Sequence, residues 1–176
     1  MTVTDPPEVA VVGWDPQWPA LARAEVARLT AIAPAVEHVG STAVPGLASI
    51  PVLDLVVGVD DADDYADAVG SAMERLGYRP VEATEAIGWA GIHLRRDAQP
   101  PIDVWVVAAG GHEWKGAIAF RDYLRAHPDE ASSYARAKRR AAESAPTRDV
   151  YAERKRATME TLDARARRWK AQHPRR

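Results

Sequence analysis

Two aspartates interrupt apolar stretches of this chain. Asp54 lies inside Pro51-Val52-Leu53-Asp54-Leu55-Val56-Val57-Gly58-Val59, and Asp103 inside Ile102-Asp103-Val104-Trp105-Val106-Val107. A carboxylate in such a setting is costly to desolvate unless a cation or a hydrogen-bond donor meets it. Two readings are open for Asp54. It either anchors a loop or pairs with an arginine, or it ligates magnesium, which is usually held by one or two carboxylates together with substrate phosphates. Asp103 is the natural second ligand if its strand neighbours that of Asp54, and otherwise a strand-entry residue beside a turn.

Between a short apolar segment and the Asp54 stretch stands Gly40-Ser41-Thr42. Glycine lets a phosphate approach the backbone closely, and Ser41, Thr42 and the neighbouring amides are donors. Three cations fall inside the apolar stripes of the C-terminal helices when residues are placed at 3.6 per turn. Arg121 sits among Trp114, Ala117, Ile118 and Leu124, Lys138 among Ala131, Tyr134, Ala135 and Ala141, and Lys155 among Tyr151, Met159, Leu162 and Trp169. Each either lays its stem along the core with its head outside, or faces inward to neutralise charge. Inward cations, strand-borne carboxylates and a glycine-serine turn together make a pocket for a nucleoside triphosphate and its metal.

Other chemistries are disfavoured. The chain has no cysteine, so disulfides, thiolate zinc sites and cysteine nucleophiles are excluded together. Its histidines follow no zinc spacing, and His38 reads as a packed or hydrogen-bonding residue. Neither a hydrolase nucleophile elbow nor a dinucleotide glycine fingerprint is present.

These residues must be positioned by a modest scaffold. A length of 176 residues with 47% hydrophobic content suits one core, predicting a loose N-terminus over 1–10, one domain over 11–170 and a basic tail over 171–176. Trp14 through Pro19 reads as a helix entry with Asp15 as cap, the helix running to about Ala33 with Leu21, Val26 and Leu29 as its apolar contacts. Strands are expected at 36–39, 51–59, 78–81, 91–95 and 102–107, and the second, apolar on both faces, should be central. An acidic helix should start in the run Asp60 to Asp67 and end near Gly77, and helices over about 112–126, 129–143 and 148–170 should form a cap. Strands first and helices afterwards describe an α+β architecture: a mixed β-sheet with flanking helices and a C-terminal helical layer.

Charge is divided in the same way. Residues 1–111 carry 6 basic and 16 acidic side chains and residues 112–176 carry 17 and 9, so the halves stand at about −10 and +8. Such polarity either joins two layers of one domain or offers an anion a basic wall. No apolar run suits a membrane span and the N-terminus does not read as a signal peptide, so a cytoplasmic location is expected.

Glu37-His38-Val39-Gly40-Ser41-Thr42-Ala43-Val44-Pro45-Gly46-Leu47, followed by Pro51-Val52-Leu53-Asp54, resembles the signature of GrpB-type proteins. Trp14 to Pro19, Phe120 to Arg125 and Tyr151 to Lys155 resemble that family too, and the similarity runs from about residue 11 to 163. The resemblance implies a nucleotidyltransferase-type fold, in which a Gly-Ser turn binds triphosphate and strand carboxylates hold magnesium for in-line attack on the α-phosphorus. Gly40 and Ser41 match the turn, and Asp54 the first carboxylate. The wider superfold places a second acid two positions later, where this chain has Val56; the later strand, where the family suggests histidines, has Asp103 and Trp105.

The resulting expectation is magnesium-dependent transfer of a nucleotidyl group from a nucleoside triphosphate to a small-molecule acceptor. Asp54 and Asp103 would be catalytic and hold metal, and Gly40, Ser41, Thr42, Arg121, Lys138 and Lys155 would bind the nucleotide. The alternative is a catalytically degenerate nucleotide- or metabolite-binding module. RNA binding through Arg139-Arg140, Arg165, Arg167, Arg168 and the Arg175-Arg176 tail is weaker, because the rest of the chain is acidic and no aromatic RNA motif is present.

Overall fold

A computed structural model describes residues 9–60, 69–81, 91–143 and 145–173. The expected start of the acidic helix, most of the N-terminal segment and the last three residues lie outside the described residues.

Helix α1 (Trp18–Thr30) leads into β1 (Ala35–Val39), a 3-10 turn (Ser41–Ala43) and β2 (Leu53–Val59). A short α2 (Gly70–Arg75) precedes β3 (Arg79–Pro80), β4 (Ile92–Arg96) and β5 (Ile102–Ala108). Three consecutive helices follow: α3 (His112–Ala126), α4 (Pro128–Ala142) and α5 (Arg148–Gln172). The sheet order is β1-β2-β5-β4-β3, with β2 and β5 parallel and the other pairs antiparallel. This is the mixed α+β arrangement expected, with β2 inside the sheet and the helical layer at the C-terminal end.

Alternation along the strands gives the sheet two different faces. Leu53, Leu55, Val57 and Val59 of β2, with Ile102, Val104 and Val106 of β5 and Leu94 of β4, pack with Trp18, Ala22 and Leu29 of α1 into the main core. The alternate residues face the helical layer. There Val39, Val56, Val107 and Ala117 form a smaller cluster, and the charged residues Glu37, Asp54, Arg95 and Asp103 lie on the same face. The helices close over one another through Tyr123, Leu124, Tyr134, Leu162 and Ala166.

Several elements depart from the expected bounds for identifiable reasons. The second strand begins at Leu53, two residues late, because Pro51 has no N–H to give to a ladder. Asp15 does not cap α1: it accepts a hydrogen bond from the Gln17 amide at 2.8 Å, and the helix starts at Trp18 with Gln17 as N-cap. Leu21 is exposed. The buried face of α1 is Trp18, Ala22, Glu25 and Leu29, so a glutamate takes a core position. Glu25 is affordable there because the Tyr78 hydroxyl donates to it at 2.7 Å and the guanidinium groups of Arg96 and Arg28 meet its other oxygen. At the chain ends, Val9 is buried beside Ala141, Ala145 and Tyr151, and α5 runs on to Gln172.

Candidate functional site

The parallel register of β2 and β5 sets Asp54 directly opposite Asp103, and the antiparallel register of β4 and β5 sets Arg95 opposite Asp103. One row across three adjacent strands therefore reads Asp54, Asp103, Arg95. Asp103 is buried and held at both oxygens: Arg95 Nε donates to Oδ1 at 2.6 Å and Nη2 to Oδ2 at 2.7 Å. His93 brings Nε2 to 3.5 Å from Oδ1, and its ring lies flat on Trp105 with centroids 4.1 Å apart. Burial opposes ionisation of Asp103, but the nearby His93 and the two hydrogen bonds from Arg95 outweigh it and hold the group below the usual carboxylate range.

Asp54 is differently placed. Its strand neighbours Leu53 and Leu55 are sealed, yet Asp54 retains partial solvent access. Burial, and then the charge of Asp103, push its carboxyl up to about 7, against the opposing pull of Lys155, His93 and Lys138. Gly40 lies against it. That residue has φ 69, and a Cβ built there would come within 2.9 Å of Asp54 Cβ and Cγ, so glycine is required both for the backbone and for the space.

The turn after Gly40 is fixed from behind. Arg125 donates from Nε and Nη2 to the Ala43 carbonyl at 2.9 and 2.7 Å, and Arg121 Nη1 donates to the His38 carbonyl at 3.0 Å. Trp14 Nε1 donates to the Thr42 carbonyl at 3.2 Å. With these carbonyls occupied, the turn is oriented without help from a ligand. His38 is pushed down to about 4 by burial and by Arg125 and Arg121, so it is neutral, and its Nε2 lies 3.0 Å from Thr42 Oγ1.

The cations come from the helical layer. Lys138 of α4 is 2% exposed; its Nζ sits 4.7 Å from the Tyr134 ring centroid and 3.5 Å from Ser49 Oγ, and among the described residues no carboxylate forms an ion pair with it. Burial, then the charge of Lys155, push its amine down to about 7, with Asp54 acting in the opposite sense. Lys155 of α5 has Nζ 4.9 Å from the Tyr151 ring centroid. Each lysine thus stacks on a tyrosine one turn earlier in its own helix. Both phenols are pushed above their usual range, first by burial; Ser41 hydrogen-bonds Tyr134 in the opposing sense, while the charge of Asp54 adds to both upward shifts.

The structure thus gathers Gly40, Ser41, Asp54, Asp103, Lys138 and Lys155 around one face of the sheet. Thr42 is 1% exposed, with its hydroxyl 3.0 Å from His38 Nε2. Arg121 is seated on Glu37 at 2.7 Å and Asp122 at 2.9 Å, behind the turn rather than over Asp54. Tyr134, Tyr151, His93, Arg95 and Arg125 belong to the surroundings and were not singled out by the sequence. The Tyr-x-x-x-Lys spacing, present once on α4 and once on α5, was the available signal for the tyrosines.

As a resident metal centre the two aspartates fit poorly. Both oxygens of Asp103 are taken by a guanidinium, and among the described residues no three His, Asp or Glu side chains gather as a ligand set. One open carboxylate remains, opposite two lysines. The arrangement can accept an anion on its helical side and a cation that arrives with it on the sheet side. No helix among the described residues is long and apolar enough to cross a membrane.

Comparison with known proteins places this chain in a family. The chain is 33% identical over 139 residues to the UPF0157 protein BH1888 of Halalkalibacterium halodurans, covering 77% of this chain and 70% of that protein. It is 30% identical over 164 residues to a protein of Mycolicibacterium paratuberculosis named dephospho-CoA kinase, covering 78% of this chain but 40% of that longer protein. The crystal structure of the conserved protein GrpB from Enterococcus faecalis superposes with a TM-score of 0.77 at 28% identity, over 90% of this chain and 98% of the other. The family model described as GrpB protein matches residues 8–165, and the chain belongs to the GrpB family.

Proposed function

We propose that this chain is a nucleotidyltransferase-type protein that binds a magnesium nucleoside triphosphate on the Asp54 face of the sheet and transfers its nucleotidyl group to a small-molecule acceptor in the cytoplasm. The observation that carries the proposal is Lys138, a buried amine with no carboxylate ion pair among the described residues, within electrostatic range of both Lys155 and Asp54. A buried ammonium of this kind is compensated when an anion enters. A polyphosphate suits two lysines and the close backbone approach that Gly40 permits.

In this reading magnesium is part of the substrate. Gly40 and Ser41 bind along the phosphates, Lys138 and Lys155 take the charge that develops on the departing pyrophosphate, and Asp54 is the carboxylate facing the substrate's metal. The acceptor's nucleophile attacks the α-phosphorus in line, and the bond to pyrophosphate breaks. Arg121 and Arg125 act one step back, by holding the turn. The relative named dephospho-CoA kinase supports a phosphorylated metabolite as the acceptor class.

A second reading, binding without turnover, is favoured by one observation: Asp103 is fully engaged by Arg95, and Val56 stands where a further acid would complete the constellation. Calorimetry with ATP separates the possibilities. Binding that requires magnesium and is lost in Asp54→Asn and Lys138→Met supports the site; pyrophosphate release in the presence of candidate acceptors supports transfer, and binding without release supports the second reading. No heat with any nucleoside triphosphate, with or without magnesium, refutes both.

A further inference from the structure

The row Asp54, Asp103, Arg95 carries more than a substrate-binding reading. Adjacent strands lie about 4.8 Å apart, so two carboxylates directly opposite one another on a half-buried face repel strongly unless a cation is supplied. Here one is supplied covalently by the third strand. Its fork matches both oxygens of Asp103, at 2.6 and 2.7 Å, and a guanidinium remains charged at any physiological pH.

We infer that Arg95 is the resident cation of this site, occupying on Asp103 the position a metal ion would need, so that Asp54 is left as the one open carboxylate of the pair. The surroundings support the assignment. His93, stacked on Trp105, stands beside the pair, with Nε2 3.5 Å from the Oδ1 that Arg95 Nε holds. Arg95 also lies within electrostatic range of Asp54 but hydrogen-bonds only Asp103. The uneven outcome is visible in the two carboxyls, with Asp103 held low and Asp54 pushed up. The consequence is a site that cannot take up a metal by itself and accepts one only together with a ligand that brings its own oxygens.

The inference does not depend on the substrate being a nucleotide, and its test uses manganese alone. Wild-type protein, Arg95→Gln and Arg95→Lys are titrated with manganese chloride, with bound metal read by electron paramagnetic resonance and melting temperature by circular dichroism. Wild type and Arg95→Lys, which keeps the charge, should bind no manganese at millimolar concentrations. Arg95→Gln should bind one ion per chain, with a melting temperature raised by roughly 5 °C or more at saturation, and Asp103→Asn in the same background should abolish both effects. Should Arg95→Gln fold only when refolded with manganese, the inference stands. It is overturned if wild type binds manganese as Arg95→Gln does, if Arg95→Gln binds none, or if that variant fails to fold with metal while Arg95→Lys folds without it. A failure of ATP to bind wild type would leave each of these outcomes unchanged.

Discussion

Replacing Asp54 by asparagine should stabilise the folded protein at neutral and higher pH. The wild-type carboxyl is carried from an ordinary value of 3.8 to about 7, chiefly by burial and then by Asp103. At 1.36 kcal/mol per pH unit, that displacement corresponds to roughly 4 kcal/mol. The sign follows from proton counts. Between 3.8 and about 7 the folded state retains a proton that the unfolded state has lost, so stability falls as pH rises through this window, and the full cost is present above it. Asparagine has the same shape and no charge, so Asp54→Asn should be more stable than wild type by about 2–4 kcal/mol at pH 8 and nearly equal to it at pH 4. Urea denaturation at the two pH values, with equal slopes, measures the difference. The same substitution should remove magnesium-dependent ATP binding. An Asp54→Asn protein that is less stable than wild type at pH 8 would mean that native donors already satisfy the carboxylate, and the reasoning that reserves it for an incoming cation would be wrong.

Three further outcomes are expected. Lys138→Met should raise stability by up to about 5 kcal/mol at pH 6 and by progressively less from pH 7 to 10, because the wild-type amine is charged in both states below about 7 and only in the unfolded state above it; urea melts across that range measure this, and triphosphate binding should be lost. Gly40→Ala should cost about 2–4 kcal/mol in urea denaturation and abolish ATP binding, since it combines a positive φ with a clash against Asp54. Tyr78→Phe should cost about 1–2 kcal/mol by removing the hydroxyl from buried Glu25, with no change in ATP affinity by calorimetry, because that network lies on the opposite face of the sheet.

Parts of this arrangement were legible in the sequence because they are local. The two-sided apolar run around Asp54 announced an interior strand, and the helices expected over about 112–126, 129–143 and 148–170 lie close to the observed α3, α4 and α5. Lys138 could be placed in the apolar stripe with Tyr134, Ala135 and Ala141, but only the structure decides between its two readings, since its side chain is buried. What the sequence did not reveal depends on which strands meet. Nothing in Gly91 to Arg96 announces that Arg95 will stand beside Asp103, since the guanidinium finds its partner only through the register of β4 on β5. For the same reason the periodicity of α1 favoured Leu21 over Glu25: the acid becomes tolerable in the core only once Tyr78 and Arg96 arrive from elsewhere in the chain. Arg121 shows the limit of stripe arguments. Its head does turn inward, but Glu37 and a main-chain carbonyl on β1 are what it meets.

The split in charge at about residue 111 coincides with the junction between sheet and helical layer, Gly110-Gly111. The anionic half of the molecule supplies the floor of the site and the cationic half its roof. On the proposed reading a ligand needs both layers, since parting the helices from the sheet would take Lys138 and Lys155 away from Asp54. Elevated salt, which weakens attraction between the two, should therefore weaken the proposed triphosphate binding in two ways at once: by shielding the ligand itself and by loosening the helical layer that carries the lysines from the sheet.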